Sequence, residues 1–275
     1  MDPFDRTLKL PSPNLTPPGP KTGYSHPKCW LRGTQNCGEK LTREHYVSKN
    51  ILLQLGEKIE VTGIQAINDG APTVLPPNSL QAKVLCKRHN EKLNDLDSDV
   101  GKFFGYLRAC FSDLNRKAFA PRQHYYLVSG DALELWMLKL AMGIYNSIAT
   151  DGKVPLKNLR TVDEKLFLDA LYSGKWIGRS GLYMNAQLGG KIALNSLVGV
   201  APLSDVIGQK YCGVQCDFHG LKFDLLFSDE NTNKGEWGAL VHRPRGFSFW
   251  RKRRAHHFYL TWKDIRPGGW VVFDR

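Results

Sequence analysis

The chain has 275 residues, 42% of them hydrophobic, 23% charged and 11% aromatic, and its 38 Lys and Arg against 26 Asp and Glu leave a net charge of +12. This is enough for one large or two modest buried cores, and it excludes collagen-like, fibrous and wholly disordered chains. The cationic excess favours a polyanionic partner. No run of about eighteen apolar residues offers a membrane span, and Asp2 and Asp5 stand where an export signal would be basic and then apolar, so a cytoplasmic protein without a membrane partner is expected.

The first twenty residues hold six prolines and little apolar periodicity, which predicts a flexible or surface-wrapping arm over 1–22. A cysteine-containing unit follows over 23–118. Within it, residues 58–68 alternate weakly and Asp69-Gly70 is a turn signal, as in an inserted hairpin. From Cys86 onward Leu93, Leu96, Val100, Phe103, Phe104 and Leu107 recur at helical spacing. A third unit, over 119–275, begins with residues 131–148. These are apolar almost all round, as a buried helix would be. Thr161 and Glu164 have the spacing of a capping box for a further helix ending near Gly174. Residues 211–227, 256–262 and 270–273 are rich in β-branched and aromatic side chains and predict strands. The expected fold class is α+β, a small metal-stabilised module followed by an α+β C-terminal domain that binds nucleic acid or a partner.

Six cysteines without an export signal point to metal binding ahead of disulfides. Cys86 and His89 form a C-x2-H pair at the start of the long helix, and Cys29 and Cys37 form a C-x7-C pair upstream. Two such pairs supply four ligands for a closed tetrahedral structural zinc, Zn2+, with His26 as an alternative ligand; isolated buried cysteines are the simpler explanation. Cys212, Cys216 and His219 also have metal-like spacing, but a C-x3-C on an alternating strand more simply puts two small side chains on one face.

Between the ligand pairs lie Glu44-His45 and, far downstream, Asn78 and then Leu85-Cys86-Lys87-Arg88-His89-Asn90. In this order they resemble the HNH (ββα-metal) endonuclease family over roughly residues 24–100. The resemblance implies that His45 is the general base, that Glu44 and Asn90 hold a catalytic Mg2+ or Mn2+, and that Asn78 fixes the loop. It implies hydrolysis of DNA phosphodiester bonds, with RNA not excluded, and a place in bacterial or phage restriction or antiviral defence. His89 departs from the usual second cysteine of that pattern, Glu44 is a methylene longer than the commoner aspartate, and the spacing from His45 to Asn78 calls for an insertion. Because successive strand residues face opposite sides, Glu44 and His45 converge only if their strand ends or bends there.

Six cations and no acid occupy residues 243–254. Arg243, Arg245, Arg251, Lys252, Arg253 and Arg254 are expected to neutralise phosphates, with Trp250, Phe247 or Phe249 stacking on an unpaired base; a solvated strand edge is the simpler alternative. Two other functions fit the same residues: a non-catalytic zinc protein that only binds nucleic acid, and a nuclease subunit that works with a protein partner or as a homodimer through its C-terminal half.

Overall fold

The computed structural model describes residues 10–45, 47–55, 59–62, 71–76, 79, 81–116, 120–147, 163–185, 197–204, 211–218, 220–227, 240–263 and 268–274. The fold is α+β, as the sequence predicts. The N-terminal arm follows the surface: Leu15 is buried, Leu10 N donates to Thr261 Oγ1 and Arg88 Nη2 donates to Pro20 O.

Strand β1 (Leu41–His45) leads to a short helix α1 (Lys49–Leu55), then to β2 (Ile59–Thr62), β3 (Thr73–Leu75) and β4 (Gln81–Cys86). β1 and β4 form an antiparallel pair, and β4 runs straight into the 29-residue helix α2 (Lys87–Asn115). The expected hairpin is present, since β2 and β3 pair antiparallel, although its turn lies outside the described residues. α2 buries the apolar positions read from the sequence and adds Cys110, Phe111 and Leu114.

Next come β5 (Arg122–Ser129) and helix α3 (Gly130–Asn146), whose start is capped by Ser129 accepting from Ala132 N. A short helix α4 (Glu164–Leu168) follows. Its cap is Asp163, which accepts from Lys165 N; Thr161, expected to serve there, lies outside the described residues. A π turn at Asp169–Ser173 extends α4 and stops at Gly174, where φ of +64° favours a residue without Cβ. The remaining strands are β6 (Gly181–Asn185), β7 (Leu197–Ser204), β8 (Tyr211–Phe218), β9 (Leu221–Leu226), β10 (Leu240–His242), β11 (Gly246–Arg251), β12 (Arg254–Thr261) and β13 (Trp270–Asp274).

Two larger sheets result, a seven-stranded one in the order β10-β6-β9-β8-β7-β2-β3 and a four-stranded one in the order β13-β11-β12-β5. The hairpin from the first half therefore extends a sheet built by the second half, through a parallel β2–β7 pair. Both sheets meet on α2, where Phe103 packs edge-on against Phe223 of β9, Phe247 of β11 and Phe258 of β12. Its neighbour Phe104 packs against Trp136 of α3 and Phe218 of β8. One continuous core thus contains residues from both 23–118 and 119–275. Among the described residues no helix is long and apolar enough to cross a membrane.

Candidate metal centre and the polar network beside it

The C-x7-C loop folds over the start of α2. It turns at Arg32–Thr34, passes through a left-handed Gln35, and is fastened to β4 by Trp30 N donating to Val84 O at 3.1 Å. Cys86 ends β4 and caps α2, and His89 lies three residues on in the first turn. This brings Cys29, Cys37, Cys86 and His89 together, all buried, with their ligand atoms within 4.8 Å of one another.

His89 Nδ1 stands 3.6, 3.8 and 3.2 Å from the Sγ atoms of Cys29, Cys37 and Cys86. A tetrahedron with metal–sulfur bonds of ~2.3 Å and a metal–nitrogen bond of ~2.0 Å has edges of about 3.6 Å, close to these three nitrogen–sulfur separations, so the group could hold a metal ion. The outer interactions are also in place. His89 Nε2 lies 3.1 Å from Thr34 Oγ1, Gly38 N donates to Cys86 Sγ, and Cys86 N donates to Cys29 Sγ. Hydrogen bonding from Cys29, assisted by His89, brings the Cys86 thiol down to about 3, while the same bond and burial push Cys29 up. All six cysteines are free. His26 is not in the group; its Nδ1 accepts from Lys28 N.

Beside that group, between β1 and the first turn of α2, a second polar cluster forms. The β1–β4 register shifts between Thr42 and Glu44, and β1 ends at His45, so the bend and the strand end that Glu44 and His45 require both occur. Glu44 is buried and His45 half-buried. Asn90, in the first turn of α2, donates from Nδ2 to Thr42 Oγ1 at 2.9 Å, and its side chain helps to lower the Glu44 pKa. Its Oδ1 is buried without a hydrogen-bond partner among the described residues. Asn78 lies outside the described residues.

Sequence reasoning missed the group that faces Glu44. Lys139 of α3 is buried and reaches Glu44 Oε1 at 2.5 Å and Asp97 Oδ2 at 2.7 Å. Ser48 donates to Asp97 Oδ1 and accepts from Trp136 Nε1 at 2.6 Å. Burial pushes the Glu44 carboxyl up, against the pull of Lys139. With all three charges present, the two carboxylates leave one negative charge in excess. The available signal was a lone lysine within a helix otherwise apolar around position 139.

The expected cationic strip is not continuous. Arg243 is 3% exposed and forms a bidentate pair with Glu134 at 2.9 and 2.8 Å, flanked by the rings of Trp176 and Trp262. Arg254 is 4% exposed; its Nη1 donates to Asp113 O and lies 3.6 Å from that residue's Oδ1. Arg251 is half-buried and donates to Leu114 O. These bonds withdraw Arg243 and Arg254 from contact with a surface polyanion. Arg245, Lys252, Arg253 and Trp250 are exposed, whereas Phe247 and Phe249 are buried in the core and cannot stack on a base. Cys212 and Cys216 are buried on β8, and His219 lies outside the described residues.

A further unanticipated group joins the end of α2 to the four-stranded sheet. His256 Nε2 is 3.1 Å from Asp113 Oδ2, its Nδ1 is 3.1 Å from Tyr126 OH, and its ring stacks on His124. Tyr126 donates to Nδ1 and the neutral imidazole donates to Asp113. Burial holds His256 below the ordinary histidine range despite Asp113. Burial raises Asp113 too, but the His256 bond and Arg254 outweigh it and hold the carboxyl low. Both folded-state values are depressed. The His256 contribution is therefore complete above ~6.5 and is lost as pH falls through the folded value; that of Asp113 is lost in stronger acid. The melting temperature is expected to fall between about pH 7 and pH 5, with a shallower slope in His256→Gln, although His257, also depressed by burial, keeps some slope. Equal slopes in a pH series of thermal melts would refute this.

Comparison with protein-family models, with curated proteins and with solved structures finds no match to this chain.

Proposed function

We propose that this protein is a metal-dependent HNH-type endonuclease that hydrolyses DNA phosphodiester bonds. One observation carries the proposal: β1 ends on Glu44-His45, its antiparallel partner β4 runs into α2, and the first turn of α2 sets Asn90 against Thr42 and Glu44. On this reading the Cys29, Cys37, Cys86 and His89 group is a structural zinc site that pins loop, strand and helix together. His45, at the strand end, takes the proton of the attacking water, the role of a neutral imidazole acting as general base. Glu44 and the buried Oδ1 of Asn90 are the hard oxygen donors that would hold Mg2+ or Mn2+, and the excess negative charge of the Glu44–Asp97–Lys139 group favours a cation. A divalent ion bound there would neutralise the phosphate and the charge developing on the leaving oxygen. Restriction or antiphage defence is the biological setting that accompanies this reading.

Lys139 supports a second reading. Its ammonium already engages one carboxylate oxygen of Glu44, as in a purely structural network, and a zinc-containing nucleic-acid-binding protein would need nothing more. Supercoiled plasmid separates the two. With Mg2+ or Mn2+, nicking is expected to fall about 10²-fold or more in His45→Ala, and in Asn90→Ala, while gel retardation of DNA persists. Nicking equal to that of wild type in both variants, or unaffected by EDTA, would leave only the binding protein.

A further inference from the structure

The four-stranded sheet turns one face to α2 and the other to solvent. The solvent face follows from strand parity, since Phe247, Phe249, His256, Phe258 and Phe273 point inward and their neighbours point out. Each of the four strands sets at least one ring at an outward position, Tyr125 on β5, His257 and Tyr259 on β12, Trp250 on β11 and Trp270 on β13, with exposed Val272 beside Trp270. Tyr125, Trp250 and Trp270 are 38%, 37% and 38% exposed, high values for rings of this size.

These rings are held in place. Tyr125 stacks on His257 at 5.0 Å and 17°, and Trp250 meets the same imidazole edge-on at 5.4 Å. Gly246 pairs with Tyr259 on one side and Trp270 on the other; having no side chain, it lets the two rings meet above it at 4.9 Å. A Cβ at position 246 would stand 2.4 Å from Trp270 Cζ3. Ser248, between the strands, accepts from Trp270 Nε1 at 2.9 Å and donates to His257 Nδ1 at 2.8 Å. The indole N–H of Trp270 and Nδ1 of His257 are thus served within the sheet, which restrains their rings before any ligand arrives.

Charge bounds this face at both ends. The β11–β12 turn supplies exposed Lys252 and Arg253, with exposed Arg122 beside them through its N–H to Arg253 O; the opposite end has exposed Arg245 and Lys263.

We propose that this face binds single-stranded nucleic acid, with unpaired bases stacked on Tyr125, Trp250 and Trp270 and the phosphates running toward the cationic ends. Aromatic rings on a four-stranded sheet stack two or three bases, and stacking on any base tolerates sequence. A duplex hides those π-faces, and a neutral ligand would gain nothing from cations at both ends. The proposal does not depend on the hydrolytic site and is testable where that site is silent.

The probe is a fluorescein-labelled oligothymidylate of about fifteen nucleotides, followed by anisotropy on the full chain without added divalent ions. Wild type is expected to bind it in preference to a duplex of the same length. Tyr125→Ala and Trp270→Ala should each weaken binding roughly 5- to 100-fold, while Tyr125→Phe and Trp270→Phe should retain most of it. Trp250→Ala, at the sheet end away from Gly246, gives the same test without disturbing the Trp270 contacts. Lys252→Ala with Arg253→Ala should flatten the salt dependence. Absence of oligonucleotide binding, duplex binding as tight as single-strand binding, or alanine variants that fold and bind like wild type would each overturn the proposal. The last result, combined with loss in the Lys252/Arg253 variant, would identify plain polyanion adhesion.

Discussion

Lys139→Met is expected to lower the stability of the folded protein by about 3–5 kcal/mol, because it leaves Glu44 and Asp97 facing each other in a buried site with no cation. Methionine nearly preserves the volume of the lysine stem, so the loss measures charge compensation more than a cavity. Urea unfolding at neutral pH reads the effect as a drop in midpoint. Two accompaniments distinguish it from generic damage. In a Glu44→Gln background the same substitution should cost clearly less, since only Asp97 remains to be compensated. The deficit should also shrink on acidification. Burial already raises the Glu44 pKa, and a raised carboxyl contributes stability that is complete below its unfolded value and is lost as pH rises through the folded one. Removing Lys139 strengthens that effect. A deficit independent of both Glu44 and pH would mean that packing around Trp136 and Ser48 is the larger contribution.

Cys86→Ser is expected to release the bound metal and to unfold the loop over 24–38 together with the first turn of α2. Cys86 holds four things at once: it ends β4, caps α2, accepts from Gly38 N and lies nearest of the three cysteines to His89. Apparent binding free energies of roughly 10–16 kcal/mol for structural zinc in small modules show how much folding can depend on one closed tetrahedron. Elemental analysis should give a full equivalent of metal in wild type and close to none in Cys86→Ser. Cys212→Ser, altering a cysteine buried on β8 away from the ligand group, should keep its metal. Retained metal in Cys86→Ser would show the four ligands to be wrongly identified.

What was legible in the sequence was local. The ligand pairs are three and eight residues apart, so their spacing carried the information, and α2 announced itself because its apolar stripe repeats from Leu93 to Leu107, about four turns. The charged residues were harder. Arg243 and Arg254 looked like part of one basic strip, yet their partners Glu134 and Asp113 are 109 and 141 residues away, and nothing in a run of cations indicates burial. Lys139 gave the opposite difficulty: its isolation in an apolar helix marked it as unusual without pointing to Glu44 and Asp97. The alternation in Phe247-Ser248-Phe249-Trp250 held the correct answer for the rings, two in and one out, but only once the strand was known to lie on a core. Tyr125 lies more than a hundred residues before Tyr259 and Trp270, and β12 and β13, though consecutive, are separated in the sheet by β11, so the convergence depends on a strand order that local pattern does not encode.

The pairing of β5 with β12 has a consequence for synthesis. These strands run side by side along their whole length, yet residues 122–129 leave the ribosome long before residues 254–261. After Asn115 is made, about 146 further residues must appear before β12 is complete, roughly 7–30 s at about 5–20 residues per second. Through most of that interval Phe103 lacks Phe223, Phe247 and Phe258, and until β8 is made Phe104 lacks Phe218. The nascent chain thus passes through a sticky stage in which a chaperone, or slower growth at low temperature, would decide the yield.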